Sequence, residues 1–295
     1  YASSDAGDLP ATRFGRVDTF CEELHAAATL PVWDGELYME GHRGIYTSQA
    51  WLKRANLRLE ESLRVAELVG PSDPSTLATL GACWKQVLLH QFHDILPGSS
   101  ISEVYEDAQR ACDDTEAVVA GIAEQGFGSG DAIFNPASTP RSGVVRIDGE
   151  LRWADGIPPL ASSIATPRLP ASISPVTCEG GLIDNGLLSF RVGGCGCIKA
   201  LRSCDTPLNV ATDETGWNMR VGEFKLYEDR PRQWDAWNLD HDYRSNEIAL
   251  DRPSGVEVVE SGPLRVVVEV RRSIGAASSA VIRYTLDAGS RRVDV

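Results

Sequence analysis

The chain has 295 residues, of which 42% are hydrophobic and 24% charged, a composition typical of soluble globular proteins. Its 42 acidic and 28 basic residues give a formal net charge of −14, which opposes binding to nucleic acid or anionic lipid. No window approaches the roughly 18 consecutive apolar residues of a membrane span. A neutral ligand such as a sugar is compatible with this charge, although the acidity is also explained by solubility alone.

Both ends of the chain resemble cut ends. It begins at Tyr1 without Met or a signal-peptide pattern, and it stops at Val295 directly after a strand-like run. We therefore expect a piece of a longer protein. The cysteines are odd in number and scattered, at Cys21, Cys83, Cys112, Cys178, Cys195, Cys197 and Cys204. Cys195-Gly-Cys197 lacks the second pair that a zinc ribbon needs, so reduced thiols in a cytoplasmic protein are the simplest interpretation.

Residues 15–128 show the spacing of apolar side chains that is typical of helices. A short amphipathic segment begins near Asp18-Thr19 and ends before Pro31. Three longer helices are predicted, from Thr47-Ser48 to Gly70-Pro71, from Asp73-Pro74 to about His90, and from Ser100 to 126–130. Short connections between long helices predict an antiparallel three-helix bundle, with residues 1–14 as a linker or the end of a preceding domain.

The sequence also predicts how these helices begin and which side chains they bury. Asp73 followed by Pro74 is an N-cap followed by a proline in the first turn. Ser100-Ile-Ser-Glu103 has the pattern of a capping box. The predicted apolar stripe of the second long helix is Leu77, Leu80, Trp84, Val87 and Leu88.

Beyond residue 130 the pattern changes to short strand-like runs. The predicted strands cover 143–147, 186–192, 255–259, 264–270 and 280–286. Ser261-Gly262-Pro263 is a turn between two of them. Strands without intervening helices predict an antiparallel β-sandwich over 131–295, whose last strands we expect to lie beyond Val295.

The segment 90–100, at the end of the second long helix, places an imidazole and a carboxylate where the chain turns. His93 is able to bind a divalent metal through one ring nitrogen, with Asp94 beside it. The alternative is that His93-Asp94 caps the helix, because a protonated histidine favours the negative end of the helix dipole. One histidine does not make a metal site. His90, three residues earlier on the same helix face, is a candidate second ligand, although we expect it to be a surface histidine.

The segment 226–240 places Trp234, Asp235 and Trp237 in a loop of the β-region. Aromatic faces pack on the C–H side of a pyranose and carboxylates accept bonds from its hydroxyls. The alternative is a loop that merely covers the end of the sandwich. Trp33-Asp34-Gly35-Glu36 and Gly41-His42-Arg43-Gly44 form a third polar and aromatic cluster with the same two interpretations. The sequence does not identify the paired carboxylates of a retaining glycosidase.

Together these segments resemble the α-mannosidases of glycoside hydrolase family 38. The matching stretches are 31–50, which opens the family's middle domain, 91–100, its metal-ligand motif, 134–138, and 227–237, which is similar to the cytosolic and bacterial branch. The resemblance runs in unbroken order over about residues 15–295. It implies an α+β multidomain fold, in which a distorted α/β barrel precedes a three-helix domain and galactose-mutarotase-like β-sandwiches. The barrel would be absent from this chain.

The resemblance also implies a function, the retaining hydrolysis of terminal α-D-mannosides in the cytoplasm. It implies one Zn²⁺ or Co²⁺ per full-length subunit, bound by two aspartates and two histidines, of which His93 is one. Asp94 would bind sugar hydroxyls, and His42 would line the sugar pocket. Arg43, Trp234, Asp235 and Trp237 are the further expected contacts to an α-mannoside or oligosaccharide.

The remaining ligands, the nucleophile and the acid/base aspartate are expected upstream of Tyr1, so this chain alone should be inactive. A homo-oligomer is compatible with the sequence, whereas nucleic acid and membrane partners are not expected. The rival interpretation is a non-catalytic carbohydrate-binding or interaction module with the same architecture. A different hydrolase that shares the sandwich would not explain His93-Asp94 on a helix end.

Overall fold

The computed structural model describes residues 14–35, 40–127, 131–204 and 221–295. The chain divides into two units, Tyr1–Met39 and Glu40–Val295. The first unit contains helix α1 (Val17–Ala27), in which no residue is buried. Arg16 and Asp18 form an ion pair of 2.6 Å at its start. The short amphipathic helix predicted near Asp18 is therefore present.

The second unit begins with a short 3₁₀ helix (Glu40–Tyr46), followed by α2 (Ala50–Val69), α3 (Pro74–His90) and α4 (Ser102–Phe127). Each of the three long helices packs against the other two. Their shared core consists of Leu52, Ala55, Leu59, Leu63, Ala66, Leu80, Cys83, Val87, Tyr105, Ala108, Cys112, Val119 and Ile122. The predicted three-helix bundle is confirmed.

Individual residues explain how α3 begins and how α4 packs against α2. The Asp73 carboxylate accepts the N–H groups of Ser75 and Thr76 at 2.9 and 3.1 Å, which satisfies otherwise unpaired donors at the start of α3. The end of α4 approaches α2 so closely that a Cβ on Gly126 would lie 1.8 Å from the Val69 carbonyl oxygen. Glycine at this position therefore permits the contact between the two helices.

Three expectations for the bundle are wrong in detail. Leu77 and Leu88 of the predicted α3 stripe are more than half exposed, and Cys83 and His90 are buried instead. His90 is only 4% exposed, because it continues the row of Leu80, Cys83 and Val87 along the buried face. The predicted capping box does not form, since α4 begins at Ser102 and the Ser100 hydroxyl donates to the Asp94 carbonyl at 2.5 Å.

The β-region is entirely antiparallel where strands pair. Its described strands are β1 (Ala132–Asn135), β2 (Arg141–Ile147), β3 (Glu150–Ile157), β4 (Ala161–Ile164), β5 (Thr177–Glu179), β6 (Leu182–Asp184), β7 (Leu188–Val192), β8 (Ile198–Ser203), β9 (Leu226–Tyr227), β10 (Glu247–Ile248), β11 (Gly255–Ser261), β12 (Arg265–Ile274), β13 (Ser278–Asp287) and β14 (Val293–Asp294). They form sheets in the orders β5-β6-β7-β8 and β11-β12-β13-β14, and the pairs β1-β4, β2-β3 and β9-β10.

The two four-stranded sheets share one hydrophobic core, which confirms the predicted sandwich. Its buried members are Val176, Ile183, Leu188, Phe190, Ile198, Val266, Val268, Val270, Ile282, Tyr284, Leu286 and Ala288. The alternation of Val266, Val268 and Val270 places one face of β12 in this core, as expected for a period of two. The predicted turn before β12 is also present, since Gly262 N donates to Arg265 O at 3.0 Å.

Within the described ranges, the helices are either too short or too polar to cross a bilayer.

Candidate functional site

The turn that carries His93 and Asp94 follows directly from the end of α3. The N–H groups of Ile95 and Leu96 donate to the Phe92 carbonyl at 2.9 and 3.1 Å, which closes the turn. The side chains of His93 and Asp94 are 74% and 53% exposed, with His93 Nε2 and Asp94 Oδ2 3.3 Å apart. The turn therefore presents an imidazole and a carboxylate side by side on the surface of this unit.

The backbone of this turn is anchored from α4. The Tyr105 hydroxyl donates to the Ile95 carbonyl at 3.2 Å and accepts the Ser100 N–H at 2.9 Å. The Ser100 hydroxyl bonds in turn to the Asp94 carbonyl. Because these bonds hold the backbone on the bundle side, His93 and Asp94 are exposed side chains on an ordered support.

Lys53 of α2 anchors the same turn from another direction. Its ammonium group donates to the carbonyl oxygens of Leu96 at 2.7 Å and Pro97 at 3.3 Å. The third acceptor is the Ser48 carbonyl, at 2.5 Å. Partial burial lowers the pKa of Lys53 from its ordinary value, since burial disfavours the charged form. One cation thus connects the turn after α3 to the segment that precedes α2.

The 3₁₀ helix is in direct contact with the tryptophan-containing loop of the β-region. Gly44 N donates to Trp237 O at 2.8 Å. A Cβ on Gly44 would lie 3.0 Å from both the carbonyl carbon and oxygen of Trp237, so the close approach favours glycine. The rings of His42 and Trp237 meet edge to face, with centroids 5.5 Å apart and an interplanar angle of 86°. Two segments almost 200 residues apart in sequence are joined here.

The loop 233–238 is folded back on itself by its own hydrogen bonds. The N–H groups of Trp237 and Asn238 both donate to Trp234 O at 2.8 Å, and the Asn238 side-chain amide donates to Gln233 O at 2.9 Å. Trp234 has a φ of 60°, in the left-handed region that an aromatic residue rarely adopts. Such strain is typical of functional sites when surrounding contacts fix it.

His42, Trp234, Trp237 and Asn238 line an open cleft of about 480 Å³. The Trp234 side chain is 69% exposed and Trp237 is half-buried, so two indole rings face the same space. Asn238, which the sequence analysis missed, adds a polar amide; its position directly after Trp237 was the available signal. Flat aromatic surface with a few polar groups suits a neutral polyhydroxyl ligand such as a sugar.

Ser48 joins this cleft to the turn that carries His93. Its hydroxyl oxygen lies 3.0 Å from the carbonyl oxygens of both Gly44 and Ala236. Gly98, with a φ of +96°, packs against it so closely that a Cβ there would lie 2.7 Å from Ser48 Cβ and O. The 3₁₀ helix, the turn after α3 and the loop 233–238 therefore meet around one serine. Neither Ser48 nor Lys53 was predicted from the sequence to take part in this junction.

The other residues predicted to contact a sugar do not line the tryptophan cleft. Arg43 is half-buried in the 3₁₀ helix, and Asp235 is exposed with its carboxylate accepting the Ala236 N–H at 3.0 Å. Neither residue lines the cleft. Trp33 and Asp34 belong to the first unit, and Glu36 lies outside the described residues.

Most acids of the segment 226–242 are neutralised by local arginines. Arg232 pairs with Asp242 at 2.6 Å and with Asp240 at 3.7 Å, and Arg230 pairs with Glu228 at 2.5 Å. These pairs hold the base of the loop, and they lie outside the residues that line the tryptophan cleft.

A protein metal site needs several ligands in one place. Among the residues that the structure describes, no three or more His, Cys, Asp or Glu side chains are grouped so as to hold an ion. His93, exposed on an ordered turn, fits the role of a single imidazole ligand in a site whose other ligands come from elsewhere.

Two family models match the chain. The alpha mannosidase middle domain matches residues 40–128, and the glycosyl hydrolases family 38 C-terminal domain matches residues 183–295. The first covers the bundle and the His93 turn, and the second covers most of the sandwich and the tryptophan loop. The predicted domain boundaries at residues 15 and 131 remain predictions.

Among curated proteins, the chain is similar to Alpha-mannosidase 2C1 of Mus musculus, with 26% identity over 80% of this chain and 25% of that protein. Alpha-mannosidase G of Dictyostelium discoideum is 28% identical over 90% of this chain and 31% of that protein. The chain thus spans a quarter to a third of the length of these relatives. A crystal structure of an alpha-mannosidase from Enterococcus faecalis V583 shares the fold, with a TM-score of 0.55, 10% identity, and coverage of 94% of this chain and 45% of that one. With both domain models matched in order and the fold shared, the chain belongs to glycoside hydrolase family 38.

Proposed function

We propose that the protein containing this chain is a retaining, metal-dependent α-mannosidase that hydrolyses terminal α-D-mannosides in the cytoplasm. The observation that carries the proposal is the junction at Ser48, which places the His93-Asp94 turn next to the cleft of His42, Trp234 and Trp237. A metal ligand and an aromatic cleft would both contribute to a mannosidase active site, and here they come from segments far apart in sequence. The names of the relatives point to the same reaction.

The cleft residues have distinct roles in this proposal. The indole faces of Trp234 and Trp237 pack on the C–H side of a mannose or of the next sugar in an oligosaccharide. Asn238 and His42 exchange hydrogen bonds with its hydroxyls, and the Asp94 carboxylate accepts hydroxyl hydrogens on the side of the turn. Arg43 and Asp235 lie outside the cleft lining and would contact only a longer ligand. A neutral sugar is not repelled by the net charge of −14.

His93 would supply one imidazole nitrogen to a divalent cation, zinc or cobalt, one per full-length subunit. When bound, such a cation polarises and orients sugar hydroxyls as the ring distorts. The bonds from Tyr105 and Lys53 to the turn fix the His93 backbone before any ligand arrives, so little ordering is needed on binding. The other ligands, the nucleophilic aspartate and the acid/base aspartate would be supplied by sequence outside this chain.

Two experiments test this assignment. In the full-length protein, His93→Ala should remove most of the bound metal and most of the activity, because the site loses one of its ligands. Metal content by mass spectrometry is measured beside kcat/KM, with His25→Ala, an exposed histidine of α1, as the matched control. A full equivalent of metal and a near-native rate in His93→Ala would show that His93-Asp94 only caps a helix.

The chain alone should neither cleave an aryl α-mannoside nor hold zinc tightly. The rigorously purified chain is assayed alone and with each of its own acids mutated. Turnover that one of these mutations abolishes would refute the proposal that the catalytic aspartates lie outside this chain. A non-catalytic carbohydrate-binding module is the second candidate, and the observation that favours it is that the tryptophan cleft is lined by residues of this chain. It would be supported if the full-length protein bound mannosides through Trp234 but never cleaved them.

A further inference from the structure

A second cleft, of about 520 Å³, lies on the β-region and contains two thiols. Cys195 and Cys197, in the turn between β7 and β8, line it together with Lys199 and residues from the segment 250–253 and β12. Both cysteines are free. The proposed mannosidase activity assigns no role to this cleft or to these thiols.

The backbone around the two thiols is held in place by the sandwich. Gly193 N donates to Cys197 O at 2.9 Å and Gly196 N donates to Gly193 O at 2.8 Å, which closes a tight turn. The hydroxyl of the fully buried Tyr284 donates to Gly196 O at 2.8 Å. Gly196 has a φ of +79°, and a Cβ on it would lie 2.7 Å from Val270 Cγ1. The positions of both cysteines are therefore fixed by glycine-specific geometry on the core.

The two thiols differ in accessibility and in acidity. Cys195 is half-buried, whereas Cys197 is 2% exposed and points its sulfur toward Cys195 O at 3.7 Å. Although burial opposes it, hydrogen bonds from Cys197 and the positive charge of Lys199 lower the pKa of the Cys195 thiol. Burial and the neighbouring Cys195 raise the pKa of Cys197 to about 11. Cys195 thus ionises first, while Cys197 keeps its proton.

The exposed Lys199 side chain runs along the same turn. Its Cγ and Cε lie 2.6 and 2.9 Å from the position that a Cβ on Gly193 would occupy, so the stem packs over the turn. Lys199 lines the same cleft, and its positive charge favours a thiolate over a thiol at Cys195.

We propose that Cys195-Gly-Cys197 is a thiol-modification site that reacts with small-molecule disulfides. The Cys195 thiolate forms a bond to one sulfur of the disulfide, and the other sulfur leaves as a thiolate. Cys197 then loses its proton to water and attacks the Cys195 sulfur, displacing the second thiolate. The protein dithiol is oxidised to a Cys195–Cys197 disulfide, and the small disulfide is reduced to two thiols. A disulfide that closes so short a loop gains little from chain entropy, so reduction reverses it readily.

The test uses the whole chain with its exposed and half-buried thiols outside the cleft removed by Cys21→Ser, Cys178→Ala and Cys204→Ser. The probe is dithiodipyridine, a neutral disulfide that releases a coloured thiopyridone. We expect Cys195 and Cys197 together to release two thiopyridones, and the peptide that contains them to lose two hydrogens without gaining an adduct. Cys197→Ser, or Cys197→Ala if the serine variant is unstable, should release one thiopyridone from Cys195 and keep the mixed disulfide.

Further variants separate the two roles. Cys195→Ser should abolish the rapid release, because the remaining Cys197 is buried. Lys199→Met should slow the first release by about threefold, whereas Lys85→Met, an exposed lysine on α3, should not change it. A stable adduct on Cys195 in the presence of Cys197, or rapid release from Cys195→Ser, would overturn the proposal.

Discussion

Replacing Lys53 with Met tests how the site turn is held. Methionine keeps a long apolar stem but removes three charge-assisted hydrogen bonds, two short ones of 2.5 and 2.7 Å and a longer one of 3.3 Å. Each hydrogen bond to a charged group contributes about 1.5–3 kcal/mol net, and the partial burial of the Lys53 ammonium group offsets part of that sum. Water can reach part of this half-buried site and satisfy some of the carbonyls. We therefore expect Lys53→Met to lower the free energy of unfolding by about 2 kcal/mol, which corresponds to a Tm decrease of about 4–8 °C.

The assay is urea-induced unfolding of the chain, followed by circular dichroism, with Lys85→Met as the control because Lys85 is exposed on the neighbouring helix. The control should change the unfolding free energy by less than about 0.5 kcal/mol. If Lys53→Met were as stable as the control, water would satisfy the three carbonyls. The inference that Lys53 anchors the His93 turn would then be refuted. In the full-length protein, the same substitution should lower metal content less than His93→Ala does.

Four other substitutions test the packing, the buried histidine and the cleft. Gly98→Ala should destabilise the chain by about 2–4 kcal/mol, because it combines a positive φ with a collision against Ser48. Gly81→Ala, on a helix with open space around it, should instead stabilise by about 0.5–1 kcal/mol in the same urea titration. Burial lowers the pKa of His90, so the unfolded chain takes up its proton first and stability falls as the pH drops below the ordinary value of 6.5. His90→Gln should reduce the pH dependence of the unfolding free energy between about pH 7 and 5. An unchanged pH dependence would contradict the conclusion that the buried His90 is neutral. Trp234→Gly relieves the left-handed backbone conformation and should leave stability equal or higher by about 1 kcal/mol, whereas KM for a mannoside in the full-length protein should rise about tenfold. A KM unaffected by this change would exclude Trp234 from the binding surface.

The sequence predicted most reliably what depends on local spacing. The three long helices begin and end within a few residues of the predicted positions, and Asp73 caps α3 as predicted. On α3, apolar residues occupy more than one face, so periodicity alone did not determine which face meets α2 and α4. For this reason His90 was wrongly predicted to lie on the surface, although it continues the buried row of α3. Its ring nitrogens are satisfied by Gln86 at 3.0 Å and Cys112 at 3.5 Å.

The candidate site could be predicted only in its parts. His93 and the tryptophan loop were predicted as site residues because their residue types are unusual for their positions, and His42 was predicted from the family resemblance. Their meeting point was not, because the bond from Gly44 to Trp237 joins positions that no local pattern connects. Ser48 and Lys53 are ordinary residues in sequence, and their importance comes only from the carbonyl groups that the fold brings to them.

The walls of the tryptophan cleft come from two segments, one before the bundle and one in the β-region, and the bond from Gly44 to Trp237 joins them. A ligand in the cleft would therefore bind only the conformation in which these walls are in contact, and it would stabilise that contact by its own binding free energy. Conversely, any change that loosens the contact lowers the apparent affinity in proportion to the population that remains assembled. Substitutions at Gly44 or Ser48 would then weaken sugar binding without touching the sugar, and raising the ligand concentration would restore it.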